Sequence, residues 1–210
     1  KEFYELMKLK PAPMLGADMY KVLYGATFKF DKRQIPAEVR AVAEKVRAAY
    51  DDGTPDCPKQ KLAGRPRILV TGSPIGGASE KVIKCLEDNG AQVVVFENCG
   101  GAKAVEEQVD ENAADIYEAL ARRYLNIGCS CMTPNPNRFA LLDRLMDDYQ
   151  VDAVVEVVLQ ACHTYNVESF GVKRFITEKK GKPYIALETD YSTSDVGQIN
   201  TRLAAFLEML

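Results

Sequence analysis

Six cysteines are the residues through which this 210-residue chain could do redox or metal chemistry: Cys57, Cys85, Cys99, Cys129, Cys131 and Cys162. The thiolate is the form that ligates soft metals and iron–sulfur clusters. A thiol beside a helix N-terminus ionises more readily, because unpaired N–H groups and the helix dipole favour the anion. Four of the six stand in loop-like sequence. Cys99 lies in Asn98-Cys-Gly-Gly101, Cys129 and Cys131 lie in Gly128-Cys-Ser-Cys-Met-Thr-Pro134, and Cys162 lies in Gln160-Ala-Cys-His163. Cys85, beside Val82 and Leu86 on an amphipathic stretch, reads as a small core side chain. Cys57, between Asp56 and Pro58, reads as incidental to a linker. The Cys129-Ser-Cys131 spacing is not a CxxC, and the paired CxxC motifs of a zinc ribbon do not occur.

Other polar motifs are weaker. His163 is the single histidine, which rules out a histidine-rich zinc centre. Beside Cys162 it reads as solvent-facing or as a hydrogen-bond donor to a cluster sulfide. Gly72-Ser-Pro-Ile-Gly-Gly77 occupies the strand-to-helix position of a phosphate loop. Pro74, however, stands where a dinucleotide fingerprint needs glycine, and no Gly-Lys-Ser/Thr follows, so a structural turn is the simpler reading. Glu188-Thr-Asp-Tyr-Ser192 is a polar run after a strand, and Asp195 to Gln198 resembles a capping box.

The elements that must position these residues follow from hydrophobic periodicity. Strands are expected at 67–71, 92–97, 153–159 and 183–189, as near-continuous Val/Ile/Leu runs. Helices are expected at 36–51, 78–89 (stopped by Asn89-Gly90), 139–149, 165–179 and toward the C-terminus through Ile199, Leu203 and Phe206. A long helical stretch in one or two pieces is expected at 105–124. Residues 1–35 are hard to assign, with Pro11, Pro13 and Gly16 breaking any early helix and a second helical piece expected at 17–28. Residues 51–66 hold Gly53, Pro55, Pro58, Gly64 and Pro66 and read as a linker. The expectation is an α/β fold of the Rossmann-like, flavodoxin-like kind. It has about four parallel strands with helices on both faces, preceded by a helical segment and linker at 1–65, with the α/β domain at 66–210. Cys99 and Cys162 then fall on the sheet edge where ligands bind in open α/β folds.

Bulk properties exclude several classes. With 30 acidic and 27 basic residues the formal charge is −3, and no basic arm or stripe points to nucleic acid. No apolar run reaches the roughly 20 residues of a membrane span. The absence of a secretory signal, with six cysteines and no need of disulfides at this length, points to a reducing, cytoplasmic setting. A start at Lys1 on an amphipathic stretch suggests that more chain lies upstream.

Four blocks carry a resemblance when taken in order: Phe96-Glu-Asn-Cys-Gly-Gly101, Tyr124-Leu-Asn-Ile-Gly-Cys-Ser-Cys-Met-Thr-Pro-Asn135, Val157-Val-Leu-Gln-Ala-Cys-His-Thr-Tyr-Asn-Val-Glu168, and Pro183 to Glu208 with Ile-Ala-Leu-Glu-Thr-Asp-Tyr-Ser and Gly-Gln-Ile-Asn-Thr-Arg. Over residues 65–210 the chain resembles the second half of the D-component of the 2-hydroxyacyl-CoA dehydratase and benzoyl-CoA reductase-like family. It is most similar there to the double-cubane-cluster anaerobic reductases.

The resemblance implies an iron–sulfur cluster held between two α/β domains and an ATP-hydrolysing iron–sulfur activator that injects low-potential electrons. In dehydratase members the electron forms a ketyl radical from a 2-hydroxyacyl-CoA; in double-cubane members two sulfide-bridged [4Fe–4S] units reduce small molecules. Cys162 is implied as a ligand, with Cys99, Cys129 and Cys131 as further candidates and either or both of the last two ligating. Four loop thiols in one half favour the double-cubane branch, and the chain's own N-terminal domain would supply the rest, so this half alone should be inactive and hold cluster poorly. A [4Fe–4S] dehydratase subunit is the alternative, and a structural thiol or zinc-binding α/β module is another. A second copy of the chain is a further candidate partner.

Overall fold

The computed structural model describes residues 1–210. Four strands, β1 (Arg67–Gly72), β2 (Gln92–Glu97), β3 (Ala153–Leu159) and β4 (Tyr184–Thr189), form one parallel sheet in the order β2-β1-β3-β4. Every residue of β1 and β2 is buried, as is all of β3 except Leu159, which is why these strands read as near-continuous apolar runs. Ile68, Leu69, Val93, Val95, Val154 and Val155 have no exposed surface; each such burial is worth about 1.5–3 kcal/mol over leaving the side chain in water. β4 is an edge strand and only partly covered.

Ten α-helices surround the sheet: α1 (Glu2–Leu6), α2 (Gly16–Thr27), α3 (Ile35–Asp51), α4 (Pro58–Lys61), α5 (Ser79–Asp88), α6 (Ala102–Val105), α7 (Ile116–Leu125), α8 (Pro136–Asp148), α9 (His163–Arg174) and α10 (Val196–Leu207). Right-handed crossovers that run in opposite directions along a sheet put their helices on opposite faces. The step β1 to β2 therefore carries α5 on one face, and the steps β2 to β3 and β3 to β4 carry α8 and α9 on the other. α10 packs beside α5. A π turn at Phe175–Lys179 prolongs α9 and seats Phe175 edge-on to Phe139 of α8, with ring centroids 5.5 Å apart. No helix is long and apolar enough to cross a membrane.

The N-terminal segment shares the core of the sheet, through Phe3, Tyr4, Met7, Met19 and Tyr20. Three buried polar side chains pin it there. Arg67 donates to the carbonyls of Met7 (2.8 Å), Leu9 (2.9 Å) and Tyr149 (2.8 Å). Gln92 donates to the carbonyls of Ala12 (3.0 Å) and Met14 (2.9 Å). Glu87 accepts from the amides of Gly16 (2.6 Å) and Ala17 (3.1 Å), so the first turn of α2 is capped by a carboxylate about 70 residues away in sequence. Nothing local to residues 1–35 announces these contacts.

Other details depart from the sequence expectations. The stretch 105–124 falls into two pieces, as one of the two expectations had it, but residues 106–115 are not helical: α6 ends at Val105 and α7 begins only after Asp115, whose side chain accepts from the amides of Tyr117 and Glu118. Cys57 is buried near Tyr50. Asp195 makes no side-chain cap to α10; its carboxylate instead accepts from Thr189 and lies 2.7 Å from Lys81 Nζ, which also donates to the carbonyls of Asp190 and Ser192. Lys81 thus folds the polar run after β4 back onto α5.

Gly72 ends β1 with φ +108°, and a Cβ there would lie 2.1 Å from the carbonyl oxygen of Val157 on β3. Both the backbone angle and the space require glycine. Gly72→Ala should cost at least about 1–3 kcal/mol in urea unfolding; an unchanged midpoint would contradict this contact.

Candidate functional site

In the order β2-β1-β3-β4 the chain reverses its direction of travel between β1 and β3, and their C-terminal ends border the crevice where open α/β sheets bind ligands. Ser73 closes this junction: its amide donates to Val157 O (2.7 Å) and its Oγ accepts from the Leu159 amide (3.1 Å). Two residues beyond Leu159, Ala161 takes a left-handed φ of +65°, unusual for a residue with a Cβ. That turn sets Cys162 as the N-cap of α9. Cys99 lies in the loop between β2 and α6. Cys129 and Cys131 lie between α7 and α8, and because α8 leads back to the start of β3, its N-terminus stands at the same edge of the sheet. All four thiols therefore reach one rim.

Specific contacts join the loops there. Ser130 Oγ lies 3.3 Å from Thr164 Oγ1, which lies 3.6 Å from Cys162 Sγ. Asn135 Nδ2 donates both to Cys129 O (2.9 Å) and to Glu168 of α9 (2.6 Å). A Cβ on Gly128 would come within 2.6 Å of Arg138 Cα, so glycine alone lets the Cys129 loop settle on α8. The Cys129 and Cys131 sulfurs are 3.4 Å apart.

The thiols differ in acidity. The Tyr165 amide facing Cys162, helped by Thr164 and Ser73, holds that thiol below its ordinary value. Cys129 is also lowered, by the Cys131 amide and thiol and by the nearby Lys103 ammonium. Cys131 is raised by its hydrogen bond to Cys129 and by the charge that Cys129 carries. Cys99 is raised by burial against the pull of Lys103, with Cys129 close enough to add to the rise.

Beneath the rim lies a buried charge network that the sequence reading did not identify. Arg138 of α8 has no exposed surface and contacts four elements. It lies 3.4 Å from Glu97 of β2, donates to Thr71 of β1 (3.0 Å) and to Glu156 of β3 (2.9 Å), and pairs with Glu168 of α9 (2.5 Å). Lys103 of α6 lies 2.8 Å from Glu97, with both side chains almost wholly buried. Tyr184 of β4 donates to Glu156 (2.5 Å), and the Tyr165 ring lies against both cations, 5.0 Å from the Arg138 guanidinium and 5.7 Å from Lys103 Nζ. Burial disfavours the Arg138 charge, but Glu97, Glu156 and Glu168 more than offset it and raise its pKa. Burial raises the Glu156 carboxyl against the pull of Arg138. Two charged residues inside otherwise apolar strands, Glu97 and Glu156, were the available sign of it: a buried carboxylate needs a partner.

The remaining candidates find plainer places. Cys85 packs in the core. His163 opens α9 and is exposed. The Gly72–Gly77 turn is tied to α2, with Tyr20 Oη donating to Gly76 O (2.7 Å), which fits a structural turn. The thiols lie open to solvent on this chain, Cys99 and Cys131 exposed and Cys129 and Cys162 partly so. Two cavities of about 600 and 660 Å³ lie near Arg67 and Gln92 at the other end of the strands and near Phe3 and Val39, and no thiol lines either. No three His, Cys, Asp or Glu side chains gather where a single ion could sit. A cubane cluster takes each thiolate at a different iron, so sulfurs spread along a rim from three loops suit it better than they suit a mononuclear site.

Arg138→Met leaves Glu97 and Glu156 buried without their cation and should cost about 3–5 kcal/mol in denaturant unfolding. Because only thiolates alkylate, and the Cys162 pKa is lowered while that of Cys99 is raised, iodoacetamide labelling of Cys162 should persist to lower pH than labelling of Cys99. Peptide mass mapping across a pH series checks the order, and a reversed order would contradict these environments.

The family model described as 2-hydroxyglutaryl-CoA dehydratase, D-component, matches residues 1–210. The putative dehydratase subunit YjiM of Escherichia coli (strain K12) is 54% identical over 208 residues, which is 99% of this chain and 52% of that protein. A benzoyl-CoA reductase subunit of Thauera aromatica is 27% identical over 149 residues, 69% of this chain and 34% of its own length. The alpha subunit of lactoyl-CoA dehydratase from Anaerotignum propionicum is 29% identical over 104 residues, 48% of this chain and 23% of its own. The chain thus spans about half the length of the first of these relatives and less of the others. With its whole length matched, this chain belongs to the 2-hydroxyglutaryl-CoA dehydratase D-component family.

Proposed function

We propose that this chain is the thiol-bearing half of an ATP-dependent, low-potential iron–sulfur reductase subunit of the double-cubane kind. The observation that carries the reading is the delivery of four thiols, on three separate loops, to the C-terminal edge of the sheet. When bound, such a cluster takes up and passes on single electrons. Cys162 and Cys129 are the readiest donors, because amide hydrogens and Lys103 already favour their thiolates. Cys99 and Cys131 complete the set. Arg138, Glu168 and Asn135 hold the Cys129 loop against α9, so the sulfurs keep their spacing without a metal to gather them.

Residues 66–210 act in this reading as the cluster-bearing domain. The rim is open on this chain, and large apolar side chains stand exposed on the helices that adjoin its loops: Tyr124 (64%) and Leu125 (67%) on α7, and Val167 (79%) and Phe170 (70%) on α9. An N-terminal half of the same polypeptide, covering that surface and adding ligands, would exclude water from the cluster. An ATP-hydrolysing iron–sulfur activator would be the electron donor, in a reducing, cytoplasmic setting. A second reading, a 2-hydroxyacyl-CoA dehydratase subunit with one [4Fe–4S] cluster, is favoured by the names of the E. coli and A. propionicum relatives.

Anaerobic reconstitution of the full-length protein separates the two. The double-cubane reading expects broad charge-transfer absorption and more than about four iron atoms per chain, falling in Cys162→Ser; about four or fewer would favour the dehydratase. Full absorption and iron content in the Cys162→Ser protein would remove the rim from either.

A further inference from the structure

We infer that Cys129 and Cys131 form a reversible dithiol–disulfide pair when no metal occupies the rim, a redox activity beyond the cluster-ligand role proposed for them. The two sulfurs stand 3.4 Å apart, with the Cys131 thiol donating to Cys129 Sγ. A covalent S–S bond is about 2.05 Å long, and bonded cysteines have Cα atoms about 4.4–6.8 Å apart. Residues two apart in a tight turn meet that requirement, and this turn is held closed. The Met132 amide donates to Cys129 O at 3.0 Å, and Asn135 Nδ2 donates to the same oxygen at 2.9 Å. A side-chain rotation then brings the sulfurs into bonding range with the backbone already in place. Access is provided too, since Cys131 is exposed and Cys129 half-buried. Cys57 and Cys85 are buried, and no cysteine of this chain is paired in a disulfide.

The step balances with a low-molecular-weight disulfide such as oxidised glutathione as the electron acceptor. Cys129 Sγ, as thiolate, attacks one sulfur of the reagent. The reagent's S–S bond breaks, and its other half leaves as a thiolate that takes up a proton. Cys131 Sγ gives up its proton and attacks the Cys129 sulfur of the mixed disulfide. The Cys129–Cys131 bond forms as the second glutathione leaves as thiol. The protein loses two protons and two electrons, and the reagent gains them. A dithiol reductant reverses the sequence. In a cluster-free protein the bond would shield the two donors from over-oxidation and would have to be reduced before those sulfurs could hold iron.

The test uses the full-length protein stripped of iron with a chelator and reduced, then equilibrated in graded glutathione redox buffers. After blocking with iodoacetamide in denaturant, so that buried thiols also react, trypsin releases Tyr124–Arg138, whose only cysteines are Cys129 and Cys131. The expected result is a peptide doubly alkylated when reduced. When oxidised it should be unalkylated and two hydrogen atoms lighter, with Cys85 still alkylated, and dithiothreitol should restore the first form. Cys131→Ser should convert the product to a glutathione mixed disulfide on Cys129, and circular dichroism confirms that this variant is folded. Finding both thiols alkylated or glutathionylated throughout the wild-type series, or Cys129 joined instead to Cys99 or Cys162, overturns the inference. Iron uptake is measured on a separate reduced sample. Cluster assembly without the disulfide ends this inference alone, and the disulfide without any cluster assembly ends the proposed function alone.

Discussion

A single buried guanidinium organises the thiol-bearing end of the molecule. Arg138 touches Thr71, Glu97 and Glu156 on three neighbouring strands and Glu168 on the helix that Cys162 begins. Placing a charge in the interior costs several kcal/mol unless every hydrogen-bonding direction is met, and here the planar fork of arginine meets carboxylates on several sides at once. The network therefore fixes one arrangement of α8 and α9 relative to the sheet. The loops of Cys129, Cys131 and Cys162 are the immediate extensions of those two helices, and Cys99 follows the strand that carries Glu97, so their positions follow from it.

The same network sets the charge under the rim. Arg138 and Lys103 face Glu97, Glu156 and Glu168, and burial raises the Glu156 carboxyl against the pull of Arg138 and of the Tyr184 hydroxyl that donates to it. The Lys103 ammonium lies under Cys99 and Cys129 and lowers the cost of charge on both. A site meant to hold thiolates benefits from a fixed cation below it, because in a low-dielectric interior that interaction is screened far less than at the surface. Ala161 adds a local strain of its own beside Cys162. Left-handed backbone at a residue with a Cβ persists only where surrounding contacts over-determine it, and here the β1–β3 junction at Ser73 and the start of α9 do so.

The order of amino acids dictates the alternation of strands and helices, because a parallel sheet covered on both faces needs continuous apolar strands and amphipathic helices, and both patterns are periodic and local. It also dictates that Cys99 and Cys162 stand at strand ends, since their positions along the chain follow from the same periodicity. The four blocks that carry the family resemblance are legible for the same reason. The start of α2, the packing of residues 1–20 onto the sheet and the real partner of Asp195 are not. Glu87, Arg67, Gln92 and Lys81 make those contacts across roughly 60 to 114 positions of chain, and no local pattern encodes such a pairing. Glu97 and Glu156 read in sequence as interruptions of apolar strands; only the folded chain lets them share one arginine. Only there, too, does the Cys129 loop rest against the helix that Cys162 begins, because hydrogen bonds and ion pairs between distant segments exist only once the sheet order has brought them to one edge.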